Sequence, residues 1–156
     1  MKTPLWKLEP HSLGKHLVLR RYLDAWFPIM SSWNGRILFI DGFAGPGEYE
    51  GGEEGSPIIA MKSLIEHRSR KMVTSEVGFL FIEKEKDRAA HLERLVKNLK
   101  HNLPRNCRVR VVNSSFNEEL TEVLDQLDGQ VTILNLVGVS ENPASTNTTK
   151  DERVSW

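Results

Sequence analysis

Arg36-Ile37-Leu38-Phe39-Ile40-Asp41-Gly42-Phe43-Ala44-Gly45-Pro46-Gly47 is the stretch on which the reading of this chain turns. A run with the character of a buried strand ends in an acid, and the six residues after it hold three glycines. Glycine has no Cβ and tolerates positive φ, so such a turn lets the backbone pass close to a nucleotide-like ligand. Strand, acid and glycine turn together predict a cofactor-binding α/β domain and leave the cofactor open.

The flanking sequence repeats a helix–strand alternation. Upstream, Leu19, Leu23, Trp26 and Met30 fall on one stripe of a helix predicted over Ser12–Met30. Asn34-Gly35 then punctuates the chain before a first strand at Ile37–Asp41. Downstream, Ser56 is the expected N-cap of a helix that Pro57 enters, with Ile58, Met61, Leu64 and Ile65 as its apolar face. Val77–Ile82 is a continuous apolar run ending at Glu83, the pattern of a strand covered on both faces. A helix over Asp87–Leu99, a strand over Arg108–Val112 ending at Asn113, a helix over Glu118–Leu127 and a strand over Val131–Leu136 follow. The order αβαβαβαβ predicts right-handed crossovers and a doubly wound parallel sheet.

Composition sets broad limits. At 156 residues the chain has the length of about one domain. It is 39% hydrophobic and 27% charged with no formal net charge, so no global field recruits nucleic acid. Cys107 is the single cysteine, which excludes an internal disulfide and a cysteine-rich zinc site; no metal is expected. No apolar run approaches the roughly 20 residues that span a bilayer, and Met1–Pro10 lacks an apolar signal core. No membrane partner and a cytoplasmic location are expected.

Which cofactor the turn suits is a question of chemistry. A P-loop needs a lysine on the phosphates, and Gly47 is followed by Glu48. The dinucleotide fingerprint needs a third glycine where Glu50 stands, counting from Gly45. From Ile37 to Met61 the chain carries Asp41, Glu48, Glu50, Glu53 and Glu54 and no Lys or Arg. A pyrophosphate there meets repulsion, whereas S-adenosylmethionine brings a sulfonium and an ammonium. The plainer account of Glu48–Gly55 is a solvated loop.

Asp41-Gly42-Phe43-Ala44-Gly45-Pro46-Gly47 resembles the D-P-F-x-G-x-G cofactor motif of amino-group methyltransferases that act on nucleic acid. Several ordered blocks resemble, more closely, the three-Cys-motif partner protein (TcmP) family, a methyltransferase-like bacterial family. They are Trp6–His11, Leu19–Leu23, Ile40–Gly47, Gly55–Pro57 and Phe81–Lys84, spread over roughly the first 90 residues. The resemblance implies a Rossmann-like sheet of the S-adenosylmethionine-dependent methyltransferase type. It also implies association with a three-Cys-motif partner protein and, further off, a nucleic-acid substrate.

In a doubly wound sheet ligands lie at the carboxyl ends of the strands. Asp41, Gly42, Phe43, Gly45 and Gly47 are therefore the expected cofactor turn, with Asp41 holding backbone amides or the cofactor's ammonium group. Glu83 is expected to accept from the ribose hydroxyls. Asn113 is expected to meet an adenine edge on which Phe116 stacks; the alternative is an ordinary strand-to-helix turn capped by Asn117. His11 and His16 are lesser candidates, His11 because it lies in the first resembling block.

The catalytic end is where the resemblance thins. Amino-methyltransferases carry [DN]-P-P-[YF] after the fourth strand, and here the strand ends Asn135-Leu136-Val137-Gly138. Asn135 is the one catalytic candidate, and the aromatic that stacks on a flipped base is missing. After Gly138 the chain becomes a polar run of Ser, Thr, Asn, Asp and Glu. Four strands are counted where such sheets carry more. The expectation is an N-terminal fragment: a partial domain over 1–138, an exposed sheet edge prone to pairing, and a disordered or non-native tail over 139–156. Such a chain is expected to be catalytically impaired.

Two further features have mainly plain readings. Lys97, Lys100, His101, Arg105, Arg108 and Arg110 form a basic run that suits phosphates, or a helix C-terminus and a solvated strand edge. Cys107 has arginines nearby, which lower a thiol pKa, but no base close in sequence. A different class of function also fits: a non-catalytic binding or assembly module that docks a partner through the Rossmann shape and the N-terminal helix.

Overall fold

The computed structural model describes residues 3–32, 35–67, 71, 73–126 and 131–136, with backbone alone for Leu124 and 131–136. Its elements are α1 (Pro10–Ser31), β1 (Arg36–Asp41), α2 (Ser56–Ile65), β2 (Glu76–Ile82), α3 (Lys86–Leu99), β3 (Cys107–Val112), α4 (Phe116–Gln126) and β4 (Val131–Leu136). A 3-10 turn at Lys100–Asn102 continues α3. Every expected element is present, with ends moved by at most two residues. The tail over 139–156 lies outside the described residues, as does Asn34.

The four strands form one parallel sheet in the order β3-β2-β1-β4. Ile40 of β1 is level with Leu80 of β2 and with Asn135 of β4. The chain adds β2 and β3 on one side of β1 and then crosses to place β4 on the other. The reversal in strand order lies between β1 and β4, and in open α/β sheets it is at such a reversal that a crevice opens beyond the strand ends.

Strand alternation divides the core in two. Ile37, Phe39, Val77, Phe79 and Phe81 point to one face, where Leu23, Trp26 and Phe27 of α1, Met61 and Leu64 of α2 and Leu92 and Val96 of α3 cover them. Phe79 is the hub: its ring centroid lies 5.9 Å from Phe27, 6.0 Å from Phe39 and 6.0 Å from Phe81. Such tilted and edge-on pairs avoid stacking negative faces. Ile40, Leu80 and Ile82 point to the other face, where Phe116, Leu120 and Val123 of α4 meet them. Helices thus pack on both faces of a mixed α/β sheet of Rossmann-like arrangement.

One local departure from the sequence reading, and one proline within a helix, have clear causes. Ser56 is the first residue of α2, and Gly55 is the N-cap. The Ser56 hydroxyl donates to Asp41 Oδ2 and so ties the helix start to the end of β1. In α1, Pro28 sits inside the helix and has no N–H for the Asp24 carbonyl. His67 Nε2 meets that carbonyl instead, at 2.6 Å, and joins the segment after α2 to α1.

Candidate functional site

Three loops converge at the carboxyl ends of β1, β2 and β3. They line a cavity of about 560 Å³ with Gly42–Tyr49, Glu83–Glu85 and Ser114–Asn117, and α1 closes it with Lys15, His16 and Leu19. Small-molecule sites commonly occupy roughly 300–1,000 Å³.

The glycine turn is built as its sequence suggests. Gly45 and Gly47 hold φ of +64° and +85°, a region that costs any residue with a Cβ. Gly42 is glycine for a different reason: a Cβ there would stand 2.2 Å from the Phe116 ring. Asp41, 1% exposed, accepts from the Phe43 amide at 3.1 Å and from the Ser56 hydroxyl. It shapes the turn from beneath and does not line the cavity. Phe43 is half exposed, lines the cavity and lies 5.8 Å from Phe116, ring centroid to ring centroid.

Glu83 is buried at the end of β2 and lines the cavity. Its Oε2 accepts from the Gly45 amide at 2.9 Å and its Oε1 from the Glu85 amide at 2.7 Å. Each carboxylate oxygen has a second lone pair, so the group retains acceptor capacity for a ligand hydroxyl. Asn113 sits elsewhere than its expected adenine position. Its side-chain amide donates to the carbonyls of Glu83 and Lys84, at 2.9 and 2.7 Å, and it does not line the cavity. Asn113 holds the β2–α3 loop, while Ser114, Ser115 and Phe116 form the wall. Asn117 is inside α4 rather than its cap.

The acidic loop is more ordered than a solvated segment. Glu48 and Glu54 form an antiparallel bridge, and Gly52, at φ +86°, turns the chain between them. Tyr49 is buried, with its hydroxyl 3.5 Å from His16 Nε2. Glu54 pairs with Lys62, and Glu48 Oε1 lies 2.7 Å from His91 Nε2. On the other side of the ring, Arg94 lies 3.0 Å from His91 Nδ1.

Sequence proximity misjudged the charge of the site. The window Ile37–Met61 lacks cations, yet folding brings Lys15, Lys84 and Arg88 to the cavity lining alongside Glu48, Glu83 and Glu85. The lining is mixed, which suits a zwitterion. Trp6 is the residue whose role sequence reasoning left unassigned. Its carbonyl accepts from the Glu50 amide at 3.1 Å, and Arg88 lies 4.4 Å over its ring. Its indole nitrogen is buried with no hydrogen-bond partner among the described residues, and Trp6 lines the cavity.

Other candidates fall away from the site. His11 is exposed in the first turn of α1 and outside the lining. The basic run is exposed along the β3 edge, with Arg108 paired to Glu76 and Arg110 to Glu119. Cys107 starts the edge strand, and partial burial pushes its thiol up to about 12 in spite of the nearby arginines. The Asn135 backbone pairs beside Ile40, but its side chain, with Val137 and Gly138, lies outside the described residues. No helix among the described residues is long and apolar enough to cross a membrane.

Set beside models of known protein families the chain matches none, and it matches no curated protein. What it does is therefore read from the site and from the motif blocks.

Proposed function

We propose that this chain is an S-adenosylmethionine-binding, methyltransferase-like protein of the three-Cys-motif partner type. The observation that carries the reading is the convergence of the Gly42–Gly47 turn, buried Glu83 and the Ser114–Phe116 wall on one cavity at the strand ends. Gly45 and Gly47 let the backbone lie against the ligand, Glu83 offers its remaining lone pairs to the ribose hydroxyls, and Phe43 and Phe116 cover apolar surface. The mixed lining of three cations and three carboxylates suits a ligand with a carboxylate, an ammonium and a sulfonium. When bound, the cofactor supplies an electrophilic methyl group. A nucleic-acid amine is the proposed acceptor class, and a three-Cys-motif protein the proposed associate. The degenerate Asn135-Leu136-Val137-Gly138 string supports impaired catalysis in this chain.

A second reading, a non-catalytic assembly module, draws on a specific observation. Asp41, both oxygens of Glu83 and the amide of Asn113 are already bonded within the protein. Those bonds are what a retained fold without a ligand would need. Calorimetric titration of S-adenosylmethionine into the wild-type chain and into Glu83→Ala separates the two. Saturable binding weakened by the substitution supports the cofactor reading; no heat of binding in either protein supports the module.

A further inference from the structure

The outer face of α1 carries an apolar stripe that its own core does not use. Leu23, Trp26 and Phe27 dock the helix on the sheet. Val18, Tyr22, Ala25 and Ile29 recur at spacings of four, three and four on a neighbouring side, about a third of a turn round the helix. Val18 is 69% exposed, Tyr22 40% and Ile29 55%, with Leu17, at 60%, beside them. Spacing of this kind is a coiled-coil seam in miniature. An exposed contiguous stripe marks an association surface more often than chance scatter does.

We propose that this stripe is a self-association surface, on which α1 packs antiparallel against α1 of a second copy, about a two-fold axis between Leu23 and Asp24. The stripe is self-complementary in that register, as an isologous contact must be. Tyr22 opposes Ala25 of the second copy, large against small, and Val18 opposes Ile29, two β-branched side chains of similar size. On the flank, Arg21 is level with Asp24 of the second copy to within about 3 Å along the axis. Charge supports the same pairing. Arg21 is exposed, with no ion pair among the described residues, and the Asp24 carboxylate is part-exposed with Arg20 on Oδ1 alone. A parallel pairing would set Tyr22 on Tyr22 and Ala25 on Ala25 and offer Arg21 no carboxylate.

Sedimentation velocity over a concentration series reads the assembly. The wild-type chain is expected to move from the mass of one copy to that of two, and Val18→Glu to stay monomeric with an unchanged circular dichroism spectrum. Disulfide trapping reads the register in a Cys107→Ser background. Val18→Cys mixed with Ile29→Cys should form a heterodisulfide. Val18→Cys alone should not, because the axis holds its two copies about 16 Å apart, and bridged Cα atoms lie within roughly 7 Å. A wild-type chain that is monomeric throughout overturns the proposal, whether or not it binds anionic vesicles. So does a dimer that survives Val18→Glu, or a Val18→Cys chain that links to itself.

Discussion

The Gly45 backbone N–H donates to Glu83 Oε2 at 2.9 Å and thereby fastens the turn after β1 to the acid that ends β2. The other carboxylate oxygen holds the Glu85 amide at the start of α3. One buried side chain thus sets the positions of two of the three loops that form the cavity.

Removing that acceptor leaves two amides without it. Glu83→Ala should lower unfolding free energy by roughly 1–3 kcal/mol, the usual cost of an orphaned buried polar group, and Glu83→Gln by less. Urea unfolding monitored by tryptophan fluorescence measures both. An unchanged midpoint in Glu83→Ala would mean that the turn holds itself.

The glycines of the turn should differ in cost according to their surroundings. Gly47 and Gly52 have nearly the same positive φ, +85° and +86°. A Cβ on Gly52 meets nothing within 4 Å, whereas on Gly47 it stands 2.7 Å from Leu92 Cδ1 in the packed core. Gly52→Ala should cost about 1–2 kcal/mol for backbone conformation alone. Gly47→Ala should cost more by at least about 1 kcal/mol, the overpacking increment. Equal thermal unfolding midpoints would contradict the geometry of the turn.

Much of this arrangement was legible before folding, because strands and helices of this chain carry strong periodic patterns. Val77–Ile82 and Ile37–Asp41 announced a covered parallel sheet, and Gly45 and Gly47 announced their positive φ. What escaped was set by contacts distant in sequence. Lys15, Lys84 and Arg88 reach the cavity from other elements, so a charge count over Ile37–Met61 missed them. Asn113 was placed correctly at a strand end, but which way its amide points depends on the carbonyls of Glu83 and Lys84 across the sheet. Trp6 has no periodic neighbours, and only the fold brings Arg88 over its ring.

Cys107 should make stability pH-dependent at the alkaline end. Burial raises its pKa from 9.0 to about 12, so the folded state disfavours the thiolate relative to the unfolded chain. The stabilisation is complete below 9.0 and is lost as pH rises toward about 12. Urea midpoints should fall across that window in the wild-type chain and fall less in Cys107→Ala. The native thiol should also react slowly with a disulfide reagent at neutral pH and rapidly after urea is added. Fast native reaction would contradict the raised thiol pKa.

His67 and Pro28 should be energetically coupled. His67 occupies the Asp24 carbonyl that Pro28 leaves without a helical donor. His67→Ala should cost about 1 kcal/mol, the net value of one hydrogen bond. In a Pro28→Ala background, where residue 28 supplies its own N–H, the same change should cost less. A double-mutant cycle by urea unfolding measures the difference. Strict additivity would show that the two act separately.

The most direct test of the cofactor reading is a set of calorimetric titrations on the wild-type chain with S-adenosylmethionine, S-adenosylhomocysteine, NAD and ATP. The account predicts saturable binding of the first two, at least tenfold tighter than either phosphate cofactor, a preference of about 1.4 kcal/mol or more. It also predicts that Glu83→Ala abolishes this preference and that Asp41→Ala weakens binding through the turn. Binding of NAD or ATP in preference to S-adenosylmethionine, or affinities that neither substitution changes, would contradict it.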